Sequence, residues 1–136
     1  MLGAIRSDGG RITSARRAVA TVLVADRAHL TAEEIAALVQ RTQPDVHQAT
    51  IYRTLDEFER LGLVTHVHLR HGPAVFHLAD RPHHHLVCES CDEVVEVPAK
   101  ELASLRRKLD RDYGFAVDSA HFAITGWCAA CREQRD

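Results

Sequence analysis

A chain of 136 residues, 46% hydrophobic and 26% charged, has the make-up of a water-soluble protein with room for one moderate core or two small ones. No apolar run approaches the roughly 18 residues of a membrane span, and the start, MLGAIRSDGG, lacks the apolar stretch of a secretory signal, so a cytoplasmic protein without membrane contact is expected. The net charge of −2 does not announce a nucleic-acid binder, yet residues 1–25 carry Arg6, Arg11, Arg16 and Arg17 against Asp8 alone, while 8 basic residues face 10 acidic ones from residue 81 onward.

Thr13 or Ser14 can cap a first helix, in which Val19, Val22 and Leu23 recur at helical spacing. Thr31-x-x-Glu34 is a capping box that opens a second helix with Ile35, Leu38 and Val39 on one face. Pro44 and Asp45 break it. A third helix is predicted from about His47 to Leu61, with Ile51, Leu55 and Phe58 inward and Gly62 in the left-handed position after its end. Two strands follow, LVTHVHL and AVFHLA, joined by a turn at RHGP. Three helices and a β-hairpin make a winged helix-turn-helix, predicted over residues 1–78, and ADRP at 79–82 reads as a hinge.

From 83 to 136 the period changes. HHHLVC and EVVEV look like strands, and Pro98 suits the first turn of a helix carrying Leu102, Leu105 and Leu109. FAVDSAHFAITGW reads as a longer strand ahead of CAAC. The chain is therefore expected to be α+β, a winged helix followed by a small α/β unit. At about 55 residues, that unit is near the size at which a metal or a partner chain is needed for stability.

Cys88-x-x-Cys91 and Cys128-x-x-Cys131 hold the only cysteines, with 36 residues between the pairs. In a reducing compartment paired cysteines are more often metal ligands or redox centres than disulfides. Each pair can give two thiolates to one tetrahedron, closing a structural Zn²⁺ site with sulfur at about 2.3 Å. Two independent redox or merely buried pairs are the plainer alternative, but a redox site needs only one pair. Zinc would clip the first strand of the small unit to the late CAAC segment. Its apparent binding energy of about 10–16 kcal/mol exceeds what so small a core supplies. A zinc deaminase would carry His-x-Glu before Pro-Cys-x-x-Cys. Here neither pair follows proline, and no His-x-Glu occurs.

Histidine, the commonest metal-ligand side chain, occurs ten times. His66 and His68 stand two apart in the first wing strand, so they share a face with Cα atoms about 6.6 Å apart, near enough to hold one metal. His83 and His85 repeat the pattern across the hinge, with His84 on the opposite face. His29 precedes the second helix, His77 lies in the second wing strand, and His121 falls in the late strand. One histidine is more often a surface or satisfied core residue than a ligand. Two such pairs beside a hinge exceed that expectation.

RITSARRAV, ATIYRTLDEFERLGLV, HHHLVCESC and GWCAAC together resemble the ferric uptake regulator (Fur) family of metal-dependent repressors, over nearly the whole chain. GLVTHVHLRHG, FHLAD and HFAITG most resemble its nickel-responsive branch, Nur. The resemblance implies a homodimeric repressor, not an enzyme, that binds double-stranded operator DNA when loaded with metal. Residues 1–78 would be the DNA-binding domain and 83–136 the dimerisation and metal-binding domain. His66, His68 and His121 match the nickel ligands of that branch, with His84 a candidate addition. His29, His77, His83 and His85 match a second regulatory site. Zn²⁺ or Fe²⁺ are the alternative regulatory ions, and a zinc-responsive or a peroxide- or iron-sensing regulator the alternative functions.

By the same resemblance the third helix reads the major groove. Tyr52 and Arg53 would contact bases, and Gln48 and Thr50 bases or phosphate, while Arg11 reaches the minor groove and Arg16 holds a phosphate. Two departures stand out. Pro82 occupies a place where the nickel branch has a histidine, and Ala103 falls at or near a family acidic ligand, with Glu101 a loose substitute.

Overall fold

The computed structural model describes residues 1–7, 10–26, 29–118 and 121–134. The chain divides into two units, Met1–His66 with Pro73–Asp80, and Val67–Gly72 with Arg81–Asp136.

The first unit contains α1 (Leu2–Ser7), α2 (Ser14–Asp26), β1 (Leu30–Thr31), α3 (Ala32–Thr42), α4 (Gln48–Arg60), β2 (Val64–Val67) and β3 (Val75–Leu78). Thr13 starts α2 by accepting the Arg16 amide on its hydroxyl at 3.2 Å. The capping box opens α3: the Glu34 amide donates to Thr31 Oγ1 at 3.1 Å, and the Thr31 amide donates to Glu34 Oε2 at 2.7 Å. Gly62, at φ +66°, ends α4 in the left-handed conformation, and the Leu63 amide reaches back to the Phe58 carbonyl at 2.9 Å. Val19, Leu23, Ile35, Val39, Ile51, Leu55, Phe58 and Val64 form one buried cluster, to which α1 adds Ile5. A small sheet in the order β1-β3-β2 flanks the helices, with Leu30 opposite Phe76.

The second unit contains β4 (His83–Cys88), β5 (Val94–Pro98), a 3-10 turn at Ala99–Leu102, α5 (Ala103–Tyr113), β6 (Ala123–Gly126) and α6 (Ala129–Glu133). Its sheet has the order β5-β4-β6, antiparallel between β4 and β5 and parallel between β4 and β6. Parallel pairing demands a long crossover, which the segment containing α5 provides. Among the described residues from Arg81 onward, only His84, His85, Val87 and Cys88 are buried. Val94, Val95, Leu105, Ile124 and Trp127 stay exposed, and α5 buries nothing. Among the described residues of this unit, Val67 and Val87 are the buried aliphatic side chains.

Several boundaries differ from expectation. The sequence pattern missed α1, β1 and α6, which span 6, 2 and 5 residues, too few to establish a period. β2 ends at Val67, so His68 lies beyond the strand and is exposed; the face-sharing argument for His66 and His68 does not apply. Pro98 closes β5 and caps the 3-10 turn, and α5 proper starts only at Ala103. The expected late strand shrinks to four residues: Phe115–Asp118 and His121 are not strand, and residues 119 and 120 lie outside the described residues. Among the described residues, no helix is long and apolar enough to cross a membrane.

Truncating Phe58, which has no exposed surface, to alanine should cost about 3–5 kcal/mol by opening a cavity. Thr31→Ala should cost about 1 kcal/mol through the lost cap. Denaturant unfolding followed by circular dichroism should rank the two in that order.

Candidate metal centres

The register of the second sheet assembles the cysteines. Parallel pairing sets Cys88 opposite Gly126, and the Glu89 amide donates to the Gly126 carbonyl at 2.8 Å, two residues ahead of Cys128. After Cys88 the chain turns back, with the Asp92 amide on the Cys88 carbonyl at 3.1 Å and Asp92 at φ +65°. The turn returns Cys91 toward Cys88, while Cys128 caps α6 and Cys131 sits in its first turn. All four are free thiols, and their sulfurs lie within 4.8 Å of one another. The Cys91–Cys128 separation is 3.8 Å. A regular tetrahedron with sulfur about 2.3 Å from the metal has edges of about 3.8 Å. Four sulfurs at this spacing fit a closed Zn²⁺ site.

The sulfurs are electrostatically unequal. The backbone amides of Cys128, Cys91 and Ser90 hold the Cys88 thiol well below its ordinary range, at about 6, and the first of these lies 3.4 Å from the sulfur. At Cys128 the Cys131 amide pulls downward, but the Cys131 sulfur, burial and Glu93 outweigh it and push the thiol up to about 12. Cys91 is also raised: the Glu93 amide lowers it, but the sulfurs of Cys88 and Cys131 and burial prevail. Beside this knuckle, Arg70 of the turn after β2 donates to the Glu89 carbonyl at 3.0 Å and pairs with the Asp92 carboxylate.

The histidines form local pairs within each unit. In the first, the rings of His29 and His77 lie 4.6 Å apart, and His66 Nδ1 contacts Glu59 Oε1. His77 is buried, and its Nδ1 donates to the Leu78 carbonyl at 3.1 Å. In the second, His83 and His85 meet edge to face at 4.6 Å, and His83 Nδ1 donates to the Arg81 carbonyl at 2.6 Å. His121 is exposed, with Nδ1 2.9 Å from Asp118 Oδ2. His84 is 3% exposed and stacks on Phe122 at 6.3 Å; neither of its ring nitrogens has a hydrogen-bond partner among the described residues. A buried imidazole left in that state costs about 1–3 kcal/mol unless something else occupies a nitrogen.

The outer face of α4 carries the side chains expected to meet DNA. Gln48, Thr50, Tyr52 and Arg53 are exposed, whereas Ile51, Thr54, Leu55 and Phe58 point inward. Gln48 Nε2 donates to the Tyr52 hydroxyl at 2.7 Å, coupling two of these groups. Arg11 is exposed. Arg16 is engaged within the fold: its guanidinium donates to the Arg11 carbonyl at 2.7 Å and lies 3.7 Å from Glu57, so it braces the segment that carries Arg11.

Glu59 and Asp118 went unnoticed in the sequence. Neither lies in a ligand-like spacing, and Glu59 meets His66 only because α4 and β2 fold together.

With Cys88 a thiolate near neutral pH and the Cys91 and Cys128 thiols raised, zinc must displace protons from those two. Apparent zinc affinity should therefore fall as pH is lowered from about 8 to about 6, steepening once Cys88 also protonates. Competition with a zinc chelator across this range checks it; a flat profile would count against thiolate ligation. Cys88→Ser and Cys128→Ser should each lose the zinc and unfold the second unit while the α2–α4 cluster survives, as read by metal analysis and hydrogen exchange.

Comparison with known proteins accords with these features. The model of the Ferric uptake regulator family matches residues 7–125. The ferric uptake regulation protein of Bordetella parapertussis is 33% identical over 111 residues, 81% of this chain and 80% of that protein. The peroxide-responsive repressor PerR of Staphylococcus saprophyticus is 28% identical over 130 residues, 96% of this chain and 88% of that protein. The structure of the ferric uptake regulator from Pseudomonas aeruginosa with manganese superposes with a TM-score of 0.74 at 31% identity, covering 93% of this chain and 96% of that one. The α+β architecture, a winged helix followed by a dimerisation domain, is accordingly the one these regulators share. Such regulators bind DNA, are generally dimeric and are not enzymes. The chain belongs to the ferric uptake regulator family of metal-responsive transcription regulators.

Proposed function

We propose that this chain is a homodimeric repressor that binds double-stranded operator DNA when nickel is bound. The observation that carries the reading is the distribution of histidines: each unit holds a close imidazole pair, His29 with His77 and His83 with His85. These four constitute the second regulatory site of the proposal. His66, His68 and His121 constitute the nickel site by their match to the nickel-responsive branch. The buried His84, whose ring nitrogens have no hydrogen-bond partner among the described residues, supports its place as an added ligand there.

Three or four neutral nitrogens with no thiolate suit Ni²⁺ in planar or tetragonal geometry, or Zn²⁺ in a tetrahedral one. A bound divalent ion supplies a single positive centre that holds several imidazoles at fixed angles. Donors from both units then restrict the chain between them, and a dimer so restricted presents its two α4 helices at one spacing. Raising a competent population from 1:99 to 99:1 takes about 5.5 kcal/mol of differential metal binding. The exposed apolar side chains of β5 and β6, Val94, Val95 and Ile124, give a second copy a surface to cover. Cys88, Cys91, Cys128 and Cys131 keep that sheet intact by holding structural zinc.

On the operator, Tyr52 packs against a thymine methyl and Arg53 reaches guanine O6 and N7, with Gln48 and Thr50 beside them. Arg11 enters the minor groove, and Arg16 acts on phosphate directly and by bracing Arg11. Glu59 and Asp118 beside His66 and His121 favour a second reading, an iron-dependent peroxide sensor, since oxygen donors suit iron.

The test is operator affinity at buffered free Ni²⁺, Zn²⁺, Fe²⁺ and Mn²⁺. Nickel should activate at the lowest free concentration, and His68→Ala should abolish that response while four-cysteine zinc remains. Activation by zinc or iron at far lower free concentration, or an unchanged nickel response in the variant, overturns the assignment. Arg53→Ala should cost about 1–3 kcal/mol and relax base preference. Arg16→Ala should weaken specific and random DNA alike and flatten the salt dependence by about one unit.

A further inference from the structure

We infer that Glu59 and Asp118 are positioning residues that fix which nitrogen of His66 and His121 faces the regulatory metal; the inference rests on the nickel site proposed above. In the first unit, Glu59, in the last turn of α4, contacts His66 Nδ1 on β2 through Oε1. In the second unit, Asp118 meets His121 Nδ1 through Oδ2 at 2.9 Å. Two histidines assigned to one site thus carry the same arrangement, a carboxylate on Nδ1, though the pairs lie in different units.

The chemistry has a definite sense. An ionised carboxylate only accepts hydrogen bonds, so Nδ1 must carry the proton in both rings. A neutral imidazole protonated at Nδ1 has its lone pair on Nε2, which becomes the donor to the metal. A carboxylate behind a ligating histidine sets its tautomer, stops ring rotation and raises the basicity of the ligating nitrogen. The two pairs differ in setting. Glu59 and His66 are each about 30% exposed as side chains, whereas Asp118 is 70% and His121 44% exposed. Solvent competes for the second pair more than for the first, so Glu59 should matter more.

The experiment uses the full chain with its cysteine zinc retained. ¹⁵N-histidine NMR without nickel should show the neutral rings of His66 and His121 in the Nδ1–H rather than the Nε2–H tautomer. Glu59→Ala and Asp118→Ala should each shift the ring toward the Nε2–H form that unrestrained imidazole favours. Ni²⁺ affinity should fall about 10–100-fold in Glu59→Ala and less in Asp118→Ala. Glu59→Gln keeps an oxygen acceptor and should restore most of both readouts. Unaltered tautomers, or unaltered affinity in the alanine variants, overturn the positioning role. So does Glu59→Gln as damaging as Glu59→Ala, which would make Glu59 an anionic ligand itself. His66→Ala separates the two levels: nickel binding that survives it overturns the site and this inference together. Binding lost there but unchanged in the carboxylate variants overturns the positioning role alone.

Discussion

The parallel pairing of β4 with β6 sets Cys88 level with Gly126, and the second unit depends on that register. A shift of one residue would carry the segment that leads to Cys128 about 3.3 Å along β4 and away from Cys88. The unit has little else to rely on, since its few buried side chains include two histidines and its outer strands show valine and isoleucine to solvent. A sheet of three short strands with so few buried aliphatic side chains among the described residues sits at the lower limit of independent stability. A metal held by the four sulfurs would supply the missing constraint, and a subunit contact the missing apolar cover.

The first unit is built on the opposite principle. Its helices close over one continuous apolar cluster from Ile5 to Val64, with capping side chains that settle where α2 and α3 begin. A rigid scaffold of this kind can present Gln48, Tyr52 and Arg53 on an exposed helical face without any ion. The candidate ligand histidines, by contrast, sit in or beside the short strands rather than in this helical cluster.

Much of this was legible in the sequence where the chemistry is local. Thr31 and Glu34 announce a capping box that needs no tertiary information, Gly62 marks a left-handed stop, and two Cys-x-x-Cys pairs prescribe a tetrahedron whatever lies between them. The misreadings arose where a pattern was too short or a partner too distant. A two-residue strand has no period, so Leu30–Thr31 leaves no strand signature beside the capping box that Thr31 opens. Apolar residues around Phe115 suggest a strand, but Phe115–Asp118 and His121 are not strand and β6 begins at Ala123. His68 was credited with a strand position because alternation was extended one residue past Val67. Glu59 and Asp118 gained their significance only from neighbours that folding supplied, as did the bracing of the Arg11 segment by Arg16.

The placement of the two sulfur pairs, one at the end of β4 and the other just past β6, also has a consequence during synthesis. Every residue of the α2–α4 cluster leaves the ribosome before Cys88 does, so that unit can close while the rest is still being made. The knuckle then waits through 36 further residues for its other half. At translation rates of about 5–20 residues per second, the delay is roughly 2 to 7 seconds. Throughout that interval Cys88 and Cys91 form an open pair, and the amide of Cys128, one of three that hold the Cys88 thiol down, has yet to arrive. Adjacent thiols in such a nascent chain are exposed to oxidants and to wrong metals. On the zinc reading proposed above, faithful assembly would depend on a reducing environment and on zinc being available as the late CAAC segment emerges.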